Sequence, residues 1–376
     1  MKVVYLINSL KNSGGMERVI TVKANLLSEY NGVDVEIITY SDTVGRFYEV
    51  SDKVEVTNFS LVKGGRKKTF ENIVNYINSS QVGVVISTGG KDIAIMNKIN
   101  KSIYKILEIH FCFKNPVLRE FSLKRNRLFS CMGYLKMIRN IYFARKCDLI
   151  VSLTARDAEL WRKYSRMPSL AVANPSSFTV NENEIIKAKA KANSDITRFI
   201  AVGRLNEQKD FSSLLLACSE LKSSLKIDNW KLDIYGDGEL LEPLNDLIEK
   251  MKLNNHVTIK KAVSNIEAIY LKSDFLLMTS IYEGLPMVLI EAMTFGTPCV
   301  SFDCESGPAE LIDNGFNGYL IKNRNIKQFS KMMARCVAME QIEYLQFSTN
   351  ALTCSREYSQ NLIVEQWHKI FLESKR

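Results

Sequence analysis

The chain has 376 residues, 46% hydrophobic and 24% charged, a balance that suits a soluble globular protein of two domains and excludes a disordered one. Its eight cysteines include no Cys-x-x-Cys, and His110, His256 and His368 stand far apart, which argues against a disulfide frame or zinc motif and for free thiols in a reducing cytoplasm. The net charge of +9 is uneven: residues 1–150 hold 23 Lys and Arg against 13 Asp and Glu, and the remainder holds 27 against 28.

The opening residues read as a strand at 2–7, with too short an apolar run and no small-residue cleavage site for a leader peptide. A polar loop ending in Gly14-Gly15 follows. Helical spacing over 16–30 then sets Val19, Ile20, Val22, Leu26 and Leu27 near one face. Further strands are expected at 33–39, 54–56, 82–87, 103–109 and 149–153, with helices between them, one over 70–77. No stretch reaches the ~18 uninterrupted apolar residues of a membrane span. Between Arg119 and Lys146 the chain carries Lys124, Arg125, Arg127, Lys136, Arg139 and Arg145 against the single acid Glu120, interleaved with aromatic and aliphatic residues. This stretch reads either as a solvated basic helix or as a surface for anionic lipid headgroups, each basic residue there contributing ~1 kcal/mol. Nucleic acid is not expected as a partner, because no nucleic-acid motif accompanies the charge.

The turn-forming Ala173-Asn174-Pro175-Ser176-Ser177 and the polar stretch 181–195 mark a domain boundary. The alternation restarts at 198–203 and continues with strands at 231–235, 256–259, 274–278 and 298–302, before a helical tail from 326 onward. Strands alternating with helices predict parallel sheets covered on both faces. The fold class is therefore α/β, with two similar halves facing across a cleft, a natural ligand site.

Ligands of open α/β sheets bind outside the carboxyl ends of the strands, so the loops there are the candidates for chemistry. Gly203-Arg204-Leu205-Asn206-Glu207-Gln208-Lys209 follows one strand and Gly236-Asp237-Gly238 the next. Glu283-Gly284-Leu285-Pro286-Met287 follows another and opens a helix carrying Glu291, with the proline suited to a first helical turn. Arg204 offers a planar fork and Lys209 a point charge for phosphate, although alone they read equally as surface cations. The third glycine of a dinucleotide fingerprint is missing, since position 241 is Leu, and no P-loop occurs. No Asp-x-Asp signals a metal-held diphosphate, so no cofactor and no metal are expected, and protein cations would have to stabilise a leaving diphosphate.

In these motifs, with Ser273-Asp274, Gly296-Thr297-Pro298 and Glu310 ahead of Gly315 and Gly318, the chain resembles family 4 of the nucleotide-sugar-dependent glycosyltransferases. That family has the GT-B fold of two Rossmann-like α/β/α domains and retains anomeric configuration. The resemblance covers nearly the whole chain and is strongest over 199–320. It implies an acceptor-binding domain of 1–175 plus 357–376, the last helix crossing back onto it, and a nucleotide-sugar donor domain of 176–356. It also implies roles residue by residue. Glu283 would touch the donor sugar's hydroxyls and Glu291 the ribose. Arg204 and Lys209, beside Gly203, would clamp the diphosphate. Backbone N–H groups from Gly284 through Leu285 and Pro286 to Met287 would face the sugar or phosphate. Gly15 would let the first-domain loop approach the diphosphate, and His110 would stand near the transferred sugar.

A finer resemblance lies in Phe302-Asp303-Cys304-Glu305-Ser306-Gly307-Pro308, similar to a run in bacterial surface-polysaccharide enzymes that use UDP donors of galactose, N-acetylgalactosamine or glucose. This chain has Glu305 where that run has proline. The expectation is a retaining hexosyltransferase, acting on a lipid-linked glycan while peripheral at the cytoplasmic face of the plasma membrane. The alternatives are a glycoside phosphorylase or nucleotide-sugar epimerase on the same fold, or a basic membrane- or nucleic-acid-binding protein without catalysis.

Overall fold

The structure is a computed structural model. It describes the chain apart from residues 12–14, 42–44, 61–64, 125–126, 192–194, 264 and 375–376, and apart from the side chains of 121–130. Gly14 of the expected loop and Arg125 of the basic stretch thus lie outside the described residues, as do the side chains of Lys124 and Arg127. The chain divides into two compact units. The first comprises Met1–Glu120, Asn126–Ser177 and Tyr358–Arg376, and the second Phe178–Glu357 with Phe121–Arg125.

The first unit runs β1 (Lys2–Ile7), α1 (Gly15–Leu27), β2 (Asp34–Thr39), β3 (Val54–Asn58), α2 (Gly65–Ser79), β4 (Val82–Ser87), β5 (Tyr104–Ile109), α3 (Asn115–Lys124), α4 (Arg127–Ala144), β6 (Leu149–Ser152), α5 (Ala155–Ser165) and β7 (Ser169–Ala171). Its sheet has the order β3-β2-β1-β4-β5-β6-β7, all pairs parallel. β1 lies in the middle, and Val3, Val4, Tyr5 and Leu6 are wholly buried, as the near-continuous apolar run of a strand covered on both faces requires.

The second unit runs α6 (Glu182–Lys191), β8 (Thr197–Val202), α7 (Phe211–Ser223), β9 (Trp230–Tyr235), α8 (Leu241–Lys250), β10 (Val257–Lys260), α9 (Glu267–Lys272), β11 (Phe275–Met278), α10 (Met287–Thr294), β12 (Cys299–Asp303), α11 (Pro308–Leu311), β13 (Gly318–Lys322), α12 (Ile326–Val337) and α13 (Gln341–Ser355). The sheet order is β10-β9-β8-β11-β12-β13, again all parallel. The last helix, α14 (Gln360–Glu373), belongs to the first unit. It buries Ile363, Val364, Trp367, Ile370 and Phe371 in that unit's core beside α1. Each such side chain contributes roughly 1.5–3 kcal/mol when fully removed from water.

Both sheets reverse direction once. The chain moves outward from β1 to β3 and returns at β4, and likewise outward from β8 to β10 and back at β11. The crevice at such a switch point, outside the carboxyl ends of its two strands, is where this class of sheet takes ligands.

Two details depart from the expectations. The polar stretch at the expected boundary holds α6, whose Ile185 and Lys189 are buried and which packs on α9 and α13. Two short strands, β7 and β13, close the far edges of the sheets and were not expected. Among the described residues no helix is long and apolar enough to cross a membrane.

Candidate functional site

In the second unit the switch-point strands β8 and β11 end in the two loops singled out from the sequence. The loop after β8 is fixed from both sides. Gly203 N–H donates to Tyr235 O, Leu205 N–H to Asp237 O and Leu240 N–H to Leu205 O, which joins it to the loop after β9. A Cβ added to Gly236 would stand 1.9 Å from Gly203 O, so only glycine allows these two loops their approach. The loop ends at Asp210, which caps α7 by accepting from Ser213 N–H, and Arg324 approaches its carboxylate at 3.4 Å.

The loop after β11 meets it. Ile281 N–H donates to Gln208 O at 2.8 Å, the Gln208 side-chain amide donates to Tyr282 O at 3.0 Å, and the Thr279 hydroxyl donates to Asp210 O at 3.0 Å. These bonds bring Lys209 Nζ to 2.6 Å from Glu283 Oε1, an ion pair whose side chains are only 18% and 10% exposed. From the other side Glu283 N–H donates to Glu305 O at 3.3 Å. Gly307, at a φ of +97°, lets its loop lie against Gly284 O, 2.6 Å from where a Cβ would stand. Gly284 and Leu285 are buried in the same loop, Pro286 is the residue before α10, and Met287 opens the helix. Pro286 carries no N–H, so of these four positions it offers no backbone donor, contrary to the expectation.

Glu291 is the fifth residue of α10 and is buried, its Oε2 accepting from the Tyr270 hydroxyl at 3.0 Å. Tyr270 is held in turn: its carbonyl accepts from Lys189 Nζ at 3.1 Å and from the Thr297 hydroxyl at 2.7 Å. Lys189 Nζ also donates to Ser273 O at 2.6 Å and to the Thr297 hydroxyl oxygen at 2.8 Å. Burial pushes this lysine down to about 7, with Asp274 pulling the other way. Arg204 is exposed, and the structure pairs Glu283 with Lys209 instead.

The first unit holds the other two expected residues. Gly15 opens α1, after the loop that follows β1. His110 directly follows β5, its side chain buried, and lines a pocket with Thr88, Gly89, Phe111, Asn115 and Asn140. Its Nε2 stands 3.4 Å from Glu108 Oε1, and Glu108 is bonded by the ammonium of the wholly buried Lys23. Burial pushes His110 down to about 4; Glu108 opposes that shift and Lys23 adds to it.

The expected residues thus fall into two groups, Gly203, Lys209, Glu283 and Glu291 around the loops of the second unit, and Gly15 and His110 in the first. Tyr270, Lys189, Lys23 and Glu108 were not anticipated. A signal existed for two of them. Lys23 sits in the apolar stripe Ile20, Ala24, Leu27 of α1, and Glu108 stands near the end of β5, two residues before His110.

Residues 182–353 match the family model described as Glycosyl transferases group 1. The amylovoran biosynthesis glycosyltransferase AmsD of Erwinia amylovora is 30% identical over 373 residues, covering 98% of this chain and 99% of that one. The GalNAc-alpha-(1->4)-GalNAc-alpha-(1->3)-diNAcBac-PP-undecaprenol alpha-1,4-N-acetyl-D-galactosaminyltransferase of Campylobacter jejuni is 24% identical over 383 residues, covering 100% of this chain and 99% of that one. Among solved structures, a TarM mutant of S. aureus in complex with fondaparinux, alpha-GlcNAc-glycerol and UDP superposes with a TM-score of 0.77 at 15% identity, covering 98% of this chain and 99% of that one. At that identity the likeness concerns the fold, which is GT-B as the resemblance implied.

Proposed function

The chain belongs to the glycosyl transferases of group 1, and from that premise we propose that it moves a hexose or N-acetylhexosamine from a UDP-sugar to a lipid-linked glycan of a bacterial surface polysaccharide. Galactose, N-acetylgalactosamine or glucose is the favoured sugar. The second unit takes the donor and the first the acceptor. Transfer retains anomeric configuration, as in family 4, and needs no metal ion. The names of the relatives support this reading, since one is a glycosyltransferase of amylovoran biosynthesis and another acts on a PP-undecaprenol glycan, and the TarM complex contains UDP.

The observation that carries the proposal is the Lys209–Glu283 pair at the β8/β11 switch point. The donor's glycosidic bond breaks through an oxocarbenium-like state, with negative charge building on the departing diphosphate. Lys209, with Arg204 at the loop surface, stabilises that charge; one such donor group typically contributes ~3 kcal/mol. The carboxylate of Glu283, held in place by the ammonium, accepts from sugar hydroxyls. Glu291, oriented by Tyr270, accepts from the ribose hydroxyls. His110 of the first unit stands by the transferred sugar, and Gly15 leaves room for the diphosphate.

Peripheral attachment to the inner membrane face is part of the same proposal. α4 exposes Tyr134, Leu135, Ile138 and Tyr142 on one side, with exposed Lys136, Arg139 and Lys146 around them. Apolar side chains flanked by cations suit an anionic interface.

Incubation with a panel of UDP- and GDP-sugars, with and without EDTA, tests the reaction through thermal shift and nucleotide release. A UDP-sugar response unaffected by EDTA is expected. Silence with every nucleotide sugar overturns the transferase reading, and loss of the response in EDTA overturns the metal-free one.

A further inference from the structure

We infer that Lys23 and Glu108 are positioning residues for His110: they hold a buried, charge-balanced carboxylate beneath the imidazole, so that the ring meets the substrate neutral. The inference rests on the placement of His110 beside the transferred sugar.

The cluster is unusual for a core. Lys23 lies on the apolar face of α1 and its side chain has no exposed surface. Its ammonium bonds the Glu108 carboxylate and lies 4.7 Å from the centre of the Trp367 ring and 5.7 Å from that of Tyr5. Taking a lysine and a glutamate out of water costs several kcal/mol per ion, and apolar residues of the same volume often do as well for stability. A pair retained at that cost calls for a role, and its neighbour supplies one.

Glu108 lies near the end of β5 and His110 just beyond it, and the two side chains meet, Oε1 3.4 Å from Nε2. Among the described residues, neither buried ring nitrogen of His110 has a hydrogen-bond partner, nor does the second carboxylate oxygen of Glu108. Among the described residues, no carboxylate, lysine or arginine lines the pocket that His110 borders. The groups packed around the cluster are Lys23 from α1, Glu108 from β5, Tyr5 from β1 and the uncharged Trp367 from α14. With Tyr5 held in its neutral form by burial, the two charges cancel.

A neutral imidazole offers one N–H donor and one lone pair, which suits a sugar hydroxyl. A protonated ring would instead set a positive charge against an oxocarbenium-like centre and oppose transfer. Glu108 alone would draw a proton onto His110, and Lys23 alone would leave an unpaired cation in the core. Only the pair sets a carboxylate beside the ring and leaves the ring uncharged.

The test is a charge cycle on the full chain. Lys23→Met leaves a buried carboxylate whose nearest base is His110, so the His110 titration, followed by NMR with His110→Asn to assign its signal, moves up by at least one pH unit. Transfer from the UDP-sugar then falls ~twofold at the moved midpoint and ~tenfold one pH unit below it, where the unmodified protein falls no more than ~twofold. Lys23→Met with Glu108→Gln removes both charges and restores the low midpoint and the unmodified protein's profile. Should Lys23→Met not fold, Lys23→Gln makes the same charge change while keeping a donor for Glu108. A midpoint unmoved in the folded single variant overturns the inference. A moved midpoint with an unchanged rate profile upholds the pair's control of the ring and overturns instead the placement of His110 at the transfer site.

Discussion

Lys209 approaches Glu283 to 2.6 Å across 74 residues of sequence, and each side chain supplies what the other lacks in a half-dry loop. Removing either leaves a partly buried charge without its partner, and the two act as one unit. Lys209→Ala and Glu283→Gln are therefore each expected to lower kcat/KM for the UDP-sugar by ~10²–10³, with the double variant no more than ~threefold below the worse single. Nucleotide-release kinetics on the three variants check this, and fully multiplicative losses would show independent roles. At this scale the sequence was legible where a residue type was rare for its place. Two glutamates eight apart around Gly284 and Pro286, and cations in the loop after β8, stood out. Tyr270 did not, because a buried tyrosine on a short helix reads as core until its hydroxyl is seen on Glu291. Lys189 hid in a polar stretch whose charge count looks solvated, although its ammonium has three acceptors in the interior.

Among the elements, α4 is the one whose two sides differ in purpose. Ala144 and the partly buried Met137, Ile141 and Phe143 face the core, whereas Leu135, Ile138 and Tyr142 are 65%, 60% and 55% exposed. A soluble helix rarely presents such side chains in an i, i+3, i+7 row without something to cover them. Replacing Leu135 and Ile138 together by Glu removes apolar area and adds repulsion. It is expected to weaken binding to phosphatidylglycerol vesicles by ~tenfold or more in a sedimentation assay while leaving the melting temperature unchanged. Undiminished binding would assign that face to something other than a membrane. The strands were legible because each sheet is buried on both faces, so 2–7 and 82–87 stand out as apolar runs and match β1 and β4 to the residue. β7 is three residues long and β13 begins on a glycine, and neither length nor composition separates such edge strands from loop.

Across the whole molecule, two buried bases make distinct contributions to pH dependence. His110 is pushed down to about 4 and Lys189 to about 7, both below their ordinary values of 6.5 and 10.5. At these two sites the unfolded chain binds protons that the folded one refuses, so the stability that each contributes falls as pH falls. For Lys189 the loss runs from about 10.5 down to about 7, and for His110 from about 6.5 down to about 4. Urea unfolding at about pH 7 and about pH 4.5 is expected to show a smaller drop for His110→Gln than for the unmodified chain, and equal drops would mean that the imidazole is not held neutral in the fold. The division into two α/β units was legible from one repeated alternation. The relation between Lys23, Glu108 and Trp367 was not, since it joins three places 85 and more residues apart that only the folded sheet and its covering helices bring together.

That last contact bears on how the protein comes off the ribosome. The lid over Lys23 is Trp367, 344 residues further along the chain than the lysine it covers. The first unit emerges early but lacks its final helix until the second unit has been synthesised in full. During translation its most expensive buried charges are thus left with an open side, and a chain cut short before α14 would be an attractive client for chaperones and proteases even though every loop of the donor unit is already present.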